Sequence, residues 1–599
     1  MTVEPGPAEP TITEVDGVTT VWAPVPGPLR AALLLRVGTS DETLLTHGIT
    51  HLLEHLALFG VGRPGDHSNG TVDATHTLFH VVGDAESVTE FLGAVTRQLA
   101  DPPAHRLDDE RGVLSAERAG KHPSVWDQHL LWRYGATGFG VAAHEAFGER
   151  RVDAAGVAEW GRRFATRGNA VLWLSGPPPA GLRLHLPDGA RVPARDPRRT
   201  IVGAYPAWFF GPDDGVSLDA VVPRGPATST LAYVLRGRLV DDLRSRRAVA
   251  YSPNADWLRL TGDAVRLMAH TDLVPGRQSE GVRPFLAVLE QLAGDDAACA
   301  VRAEEVADWH RIMRRNALEP GFGLASLDSV AWDLLFDRPA QGPGEVEARA
   351  AALTPDDVAA VARDALGSAL AQVPTGLAPR HEPWRPAPAS DYPALTGRDY
   401  APNGGPGAGT ITLADDGVTH RAGGHHRTAP LAETVAVLRW ADGGRVLVAA
   451  DGNRLDVEPT LWRDGDDLVR RIDAAWPADL VVDLGHRSPD AVPRPVEDAG
   501  GEPAWVRWLH ARRLGRRGRL AILVGAVLAF AAAWTAVAGD PPPIGPLLVG
   551  IAIAGWTSSR GRRKEPPPAP PPSSTERPQD RTAGREWRRG PADADDVSS

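Results

Sequence analysis

Apolar and polar positions recur with two different periods along residues 1–375, and the period switches from one stretch to the next. Residues 18–25 and 29–37 are apolar, β-prone runs separated by Pro26-Gly27-Pro28, which predicts two strands joined by a turn. Gly38-Thr39-Ser40-Asp41-Glu42 breaks the second run, and residues 48–58 then carry apolar side chains at helical spacing. Residues 71–82 alternate and read as a further strand, whereas 85–99 return to the helical period. Residues 108–119 read as a helix with acidic residues in its first turn, where the helix dipole favours negative charge. Residues 157–164 are helical, and 170–175 form a short buried strand stopped by Gly176 and three prolines. Strands and helices in this order imply an α+β layered sandwich.

After a charged, proline-containing linker at 192–200 the order of elements repeats. A strand at 216–222, a helix at 228–243, a strand at 265–269 and helices at 283–292 and 303–316 are expected. The chain therefore divides into two tandem α/β sandwich domains, 1–191 and 201–373. Residues 374–409 are rich in Pro, Gly and Ala and read as a linker. Short alternating strands follow at 410–413, 417–421, 433–439, 445–450 and 453–457, then a helix at 464–476 with Leu468, Ile472 and Trp476 on one face. That order is similar to a pleckstrin-homology-like β-barrel over 410–480.

The last hundred residues change character. Residues 520–539 are uncharged and mostly apolar, long enough to cross a bilayer as a helix. Asp540-Pro541-Pro542-Pro543 makes a turn, and 544–559 is a second, shorter uncharged run. A basic juxtamembrane segment, 481–519, precedes the pair, and Arg560, Arg562, Arg563 and Lys564 follow it. Positive charge on both flanks puts both ends in the cytoplasm, which predicts a transmembrane helical hairpin, with a re-entrant second segment as the alternative. Residues 565–599 are expected to be disordered, and the prolines within 566–572 to be tail rather than a ligand for a proline-recognising module.

Composition narrows the chemistry. At 599 residues the chain exceeds a single core, and a net charge of −12 excludes nucleic acid as the main partner. A single cysteine, Cys299, leaves no intramolecular disulfide and no cysteine-based zinc site, so any metal must be held by histidine and carboxylate. Residues 1–10 contain no apolar run, so neither a signal nor a transit peptide is expected and the first half should stay in the cytoplasm.

Within the helix at 48–58, His51 and His55 are four residues apart and share a face, with Glu54 beside them. Two neutral imidazoles suit Zn²⁺, and an adjacent glutamate can take a proton from metal-bound water, as in the H-x-x-E-H order of inverted zinc peptidases. The competing reading is an amphipathic helix with two histidines at its polar boundary. Catalytic zinc requires a third protein ligand, and Glu110 and Glu117, seven residues apart on the helix at 108–119, share one face. Either would complete the site; otherwise both are solvated surface carboxylates. His420, His425 and His426 are a second candidate metal group, and are more simply exposed loop residues.

Over residues 10–375 the chain resembles the pitrilysin/insulinase family, which includes the mitochondrial processing peptidases. Arg36-Val37-Gly38 followed by Gly48-Ile49-Thr50-His51-Leu52-Leu53-Glu54-His55, then Asn69-Gly70-Thr71 and Thr77-Leu78-Phe79, and the spacing of Glu110 and Glu117 are similar to the family's motif. So is the stretch from Leu243 through Arg244 to Ala250-Tyr251-Ser252 in the second half. The interval from His55 to Glu117 is shorter than is usual in the family, and the second half lacks H-x-x-E-H. The resemblance implies one Zn²⁺ per chain on His51, His55 and Glu117, Glu54 as the base that activates water, and Glu110 as a supporting carboxylate. It further implies a substrate-binding edge strand at Asn69, and Arg244 and Tyr251 reaching across to the substrate carbonyl.

The expectation is thus a membrane-anchored zinc endopeptidase that cuts extended peptides or small proteins at the cytoplasmic face of the cell membrane. One pair of domains requires a homodimer or a second peptidase-family half to close a chamber. The alternative is a non-catalytic scaffold or partner subunit of a membrane complex.

Overall fold

The computed structural model describes residues 9–62, 67–119, 124–212, 214–319, 321–388, 390, 392–404 and 409–495, all within the first of the chain's two compact units, Met1–Pro495. Thr11–Val15 (β1) and Val18–Trp22 (β2) form a hairpin, followed by Leu29–Leu35 (β3) and the helix Ile49–Leu58 (α1). His67–Val72 (β4) and Thr77–Gly83 (β5) form a second hairpin. The helices Ala85–Ala100 (α2), Leu107–Ala119 (α3), Val125–Tyr134 (α4) and Ala154–Phe164 (α5) lead to the strand Ala170–Leu174 (β6). The strands make one sheet in the order β1-β2-β6-β3-β5-β4.

The runs at 18–25 and 29–37 are two successive strands, β2 and β3, as expected; they do not pair with each other, because β6 lies between them and β2 finds its hairpin partner in β1. One expectation is corrected here. The single strand expected at 71–82 is two strands, turning where Asp73 N–H donates to His76 O at 2.9 Å. Both β1, Thr-Ile-Thr-Glu-Val, and β4, His-Ser-Asn-Gly-Thr-Val, carry too few apolar residues to stand out in a hydrophobic pattern.

The second half repeats the theme with Ala207–Gly211 (β7), Val216–Pro223 (β8), Pro226–Leu239 (α6), Asn254–Arg259 (β9), Ala264–Thr271 (β10) and Gln278–Ala293 (α7). Ala303–Asn316 (α8), Phe322–Leu335 (α9), Pro343–Ala351 (α10), Pro355–Leu366 (α11), Leu370–Pro374 (β11) and Arg385–Pro386 (β12) complete it. The sheet order is β12-β7-β11-β8-β10-β9.

Each half lends a helix to the other. Leu324, Leu327, Val330, Ala331 and Leu335 of α9 pack on Val21, Ala32, Leu34, Val171 and Trp173 of the first sheet. In return α4 crosses to the second sheet, where Trp132 stacks on Phe209 with ring centroids 5.0 Å apart. Covering both faces explains why β3 and β6 are apolar at almost every position rather than at alternate ones. Each large side chain so buried contributes roughly 1.5–3 kcal/mol.

The exchange also buries charge. Asp219, fully buried, accepts from Arg133 at 2.6 Å and Arg266 at 2.7 Å, and lies 3.2 Å from His129 Nδ1. Burial alone would raise its pKa, but Arg133, Arg266 and His129 outweigh it and hold the carboxyl well below the usual carboxylate range. His129 Nε2 is 2.8 Å from Ser217 Oγ, so Ser217, His129 and Asp219 stand in the order of a nucleophilic relay. All three are at most 2% exposed, which makes them a lock between the halves and not a site a substrate can reach.

The third region contains Arg398–Tyr400 (β13), Thr410–Ala414 (β14), Gly417–Ala422 (β15) and His425–Pro430 (β16). Thr434–Trp440 (β17), Arg445–Ala449 (β18), Arg454–Val457 (β19), Gly465–Ala475 (α12) and Val481–Gly485 (β20) follow. These strands form two four-stranded sheets, β13-β14-β15-β16 and β19-β18-β17-β20, not the closed barrel expected. The helix α12 does not end the domain, because β20 returns parallel to β17. His420, His425 and His426 sit on paired strands, not in loops. The expected hairpin at 520–539 and 544–559 and the tail at 565–599 lie outside the described residues. Among the described residues no helix is long and apolar enough to cross a membrane.

Candidate metal centre

α1 begins where it does because of a residue upstream of it. Gly48, at the N-cap, has φ +97° and offers no capping side chain. Glu42 supplies the cap instead: its carboxylate accepts from Gly48 N–H and Thr50 N–H, each at 2.9 Å, and pairs with His47 Nδ1 at 2.7 Å. A negative charge at this end suits both the unsatisfied amides and the helix dipole. Sequence reasoning missed Glu42, which lies too far upstream to match the three-residue spacing of a capping box.

Ile49, Leu52, Leu53, Leu56 and Ala57 bury one face of α1 in the core of the first half. His51 and His55 lie at its margin with ring centroids 4.9 Å apart, facing α3. Glu117 on α3 completes the group: its Oε2 is 3.8 Å from His51 Nε2 and its Oε1 is 3.6 Å from His55 Nε2. One donor atom from each of the three residues falls within 4.8 Å of the other two. Tetrahedral zinc with ligands at about 2.1 Å separates its ligand atoms by roughly 3.4 Å. The spacing and the N,N,O donor set therefore fit such an ion with little movement.

Two further carboxylates surround the group. Glu54, 5% exposed, has Oε2 at 3.5 Å from His51 Nε2 and 4.0 Å from His55 Nε2. Its side chain also lies against Gly70 of β4. Glu110, 8% exposed, places Oε2 3.3 Å from His55 Nδ1, and Arg106 donates to its other oxygen at 3.2 Å. An acceptor on the far nitrogen fixes the tautomer and orientation of an imidazole whose Nε2 faces a metal.

The structure thus brings His51, Glu54, His55, Glu110 and Glu117 together. Asn69, exposed, sits next to Gly70 on β4, the edge strand of the sheet beside this group. Arg244 and Tyr251 form a separate pair on the second half, with the guanidinium 5.3 Å from the tyrosine ring centroid and Tyr251 71% exposed. Arg244 lies in a π-helical turn, Val240–Arg246, that continues α6.

No family model matches the sequence, and no curated protein matches it. Solved structures do. A protease from Helicobacter pylori is similar with a TM-score of 0.51 at 15% identity, covering 61% of this chain and 100% of that one. A peptidase M16 inactive domain from Pseudomonas fluorescens is similar with a TM-score of 0.52 at 13% identity, covering 61% of this chain and 98% of that one. At such identities the likeness is one of fold: this chain contains a peptidase M16-like α/β fold, which a protease and an inactive domain share.

Proposed function

We propose that the chain is a zinc-dependent endopeptidase that hydrolyses extended peptides or small proteins. The observation that carries this reading is the gathering of His51, His55 and Glu117 donor atoms within 4.8 Å of one another, with the buried carboxylate of Glu54 at their side. When bound, the metal supplies a Lewis acid that polarises a carbonyl and acidifies water. His51 and His55 present Nε2 to it and Glu117 one carboxylate oxygen. Glu54 accepts the proton of the attacking water at a carboxylate oxygen and passes it to the departing amine. Glu110 holds the His55 ring in the orientation this requires.

An extended substrate would add to the edge of β4, donating to and accepting from its main chain beside Asn69. Arg244 and Tyr251 would hold the substrate carbonyl from the second half, a role supported by the motif resemblance and by their mutual contact. A second copy or a second peptidase-like half would close the chamber. The apolar runs at 520–539 and 544–559, flanked by arginines, support anchoring to a membrane with the peptidase halves and the tail on the cytoplasmic side.

The competing reading is a non-catalytic scaffold or partner subunit, for which the inactive domain of the same fold is the specific precedent. Incubating the purified full-length protein with an unstructured peptide mixture, before and after chelation and after zinc is restored, separates the two. The peptidase reading expects new termini by mass spectrometry, their loss on chelation and their return with zinc. A folded protein that holds no zinc and releases no fragments supports the scaffold.

A further inference from the structure

Arg111 and Arg118 follow Glu110 and Glu117 by one position each, so they share a face of α3 two turns apart. Both reach the short turn Phe147–Arg150 and the chain just after it. Arg111 Nε donates to Glu149 O at 2.8 Å, its terminal nitrogen donates to Val152 O, and Arg118 pairs with the Glu149 carboxylate. Glu149 is 3% exposed. The same turn presses on the start of α1. A β-carbon at Gly48 would lie 2.4 Å from Glu149 Cγ, and one at Gly148 would lie 2.3 Å from His47 N. One turn therefore grips the helix that carries both histidines and the helix that carries the third ligand.

What holds the turn is the third region. Phe147 is buried in an apolar cluster with Leu44, Ala436, Leu438, Val446, Val448 and Val482, the last five from β17, β18 and β20. Glu117 is the most exposed member of the metal group, its side chain 42% exposed. The placement of α3, more than packing of that side chain, thus sets where its carboxylate lies.

We infer that Glu149 is a positioning residue that fixes α3 against α1, clamped by the third region through Phe147, and so tunes the affinity of the metal group, a role that rests on the zinc reading above. The domain that follows the peptidase-like halves would then be a brace for the site and not merely an appendage.

The test uses the full-length protein with Glu149→Gln, Arg118→Gln and Phe147→Ala, and Glu159→Gln as a control that breaks only the exposed pair with Arg162 on α5. Arg118 is partly exposed, so its variant keeps the experiment usable if a substitution at Glu149 or Phe147 prevents folding. Zinc affinity is measured by competition with a chromogenic chelator, and amide hydrogen exchange is followed in the metal-free protein. The brace predicts zinc binding weakened about 10–100-fold in the three variants and unchanged in the control. It also predicts faster exchange over residues 107–119 without faster exchange over α2. Unaltered exchange over 107–119 in every folded variant overturns the brace, whatever happens to zinc. Wild-type protein that binds no zinc, while the variants still loosen 107–119, overturns the metal role and the zinc reading but upholds the brace.

Discussion

Gly70 and Glu54 meet with no space between them: a β-carbon at position 70 would lie 2.2 Å from Glu54 Oε1. The edge strand and the proposed base are therefore built against each other. Gly70→Ala must displace either the carboxylate or β4. A shift of about 1 Å in a positioned catalytic group costs on the order of 10²-fold in rate. Peptide cleavage by this variant should fall by about that factor with zinc content unchanged, as read by steady-state kinetics alongside metal analysis.

Glu110 is expected to act through His55. Glu110→Gln keeps the shape but weakens the acceptor 3.3 Å from His55 Nδ1, and should loosen zinc about 10–100-fold. Glu117→Ala removes a ligand outright and should abolish stoichiometric zinc. Equilibrium dialysis of the two variants distinguishes a residue that orients a ligand from one that is a ligand.

The lock at Asp219 should matter to stability and not to chemistry. Asp219→Asn leaves Arg133 and Arg266 buried without their counter-charge, a change that costs about 3–5 kcal/mol. Ser217→Ala removes one hydrogen bond, worth about 1 kcal/mol, and should leave cleavage intact. Urea denaturation measures both; loss of cleavage in a stable Ser217→Ala protein would contradict the structural role.

Acid should unfold the protein partly through His144. Burial lowers its pKa from 6.5 to about 4; the Gly135 carbonyl, 3.3 Å from Nε2, opposes this, while His47 and Arg454 add to it. Between those values the unfolded chain takes a proton that the folded one refuses. Stability is therefore full above pH 6.5 and declines as pH falls toward 4, by up to about 3 kcal/mol. His129 and His76, also lowered by burial, act in the same direction. His144→Gln should flatten the stability profile between pH 6.5 and 4 relative to wild type, as followed by thermal melts.

Which side chains share a face was legible from spacing, because His51, Glu54 and His55 lie on one helix and Glu110 and Glu117 on another, each with a 3.6-residue period; that Glu117 and not Glu110 would be the third ligand came from the family resemblance. α1 and α3 begin and end within a residue of the predicted bounds. The contributions of Glu42, Gly70 and Glu149 were invisible because each depends on a contact between separate elements. The exchanged helices were equally hidden. α4 carries His129 and Arg133 in its buried face, so it shows no clear apolar stripe, and its partner Asp219 is ninety residues from His129. The barrel expected at 410–480 failed for a related reason: five of the strands were legible, but β13, β16 and β20 were not, and with them went the division into two sheets.

The most direct test of the account compares zinc content and peptide turnover in wild-type and Glu54→Gln protein from the same preparation. The account predicts one zinc per chain in both, with turnover in the wild type and at least a hundredfold less in the variant, as expected for loss of a general base. Wild-type protein without zinc, or a zinc-loaded Glu54→Gln variant that cleaves at the wild-type rate, would contradict it.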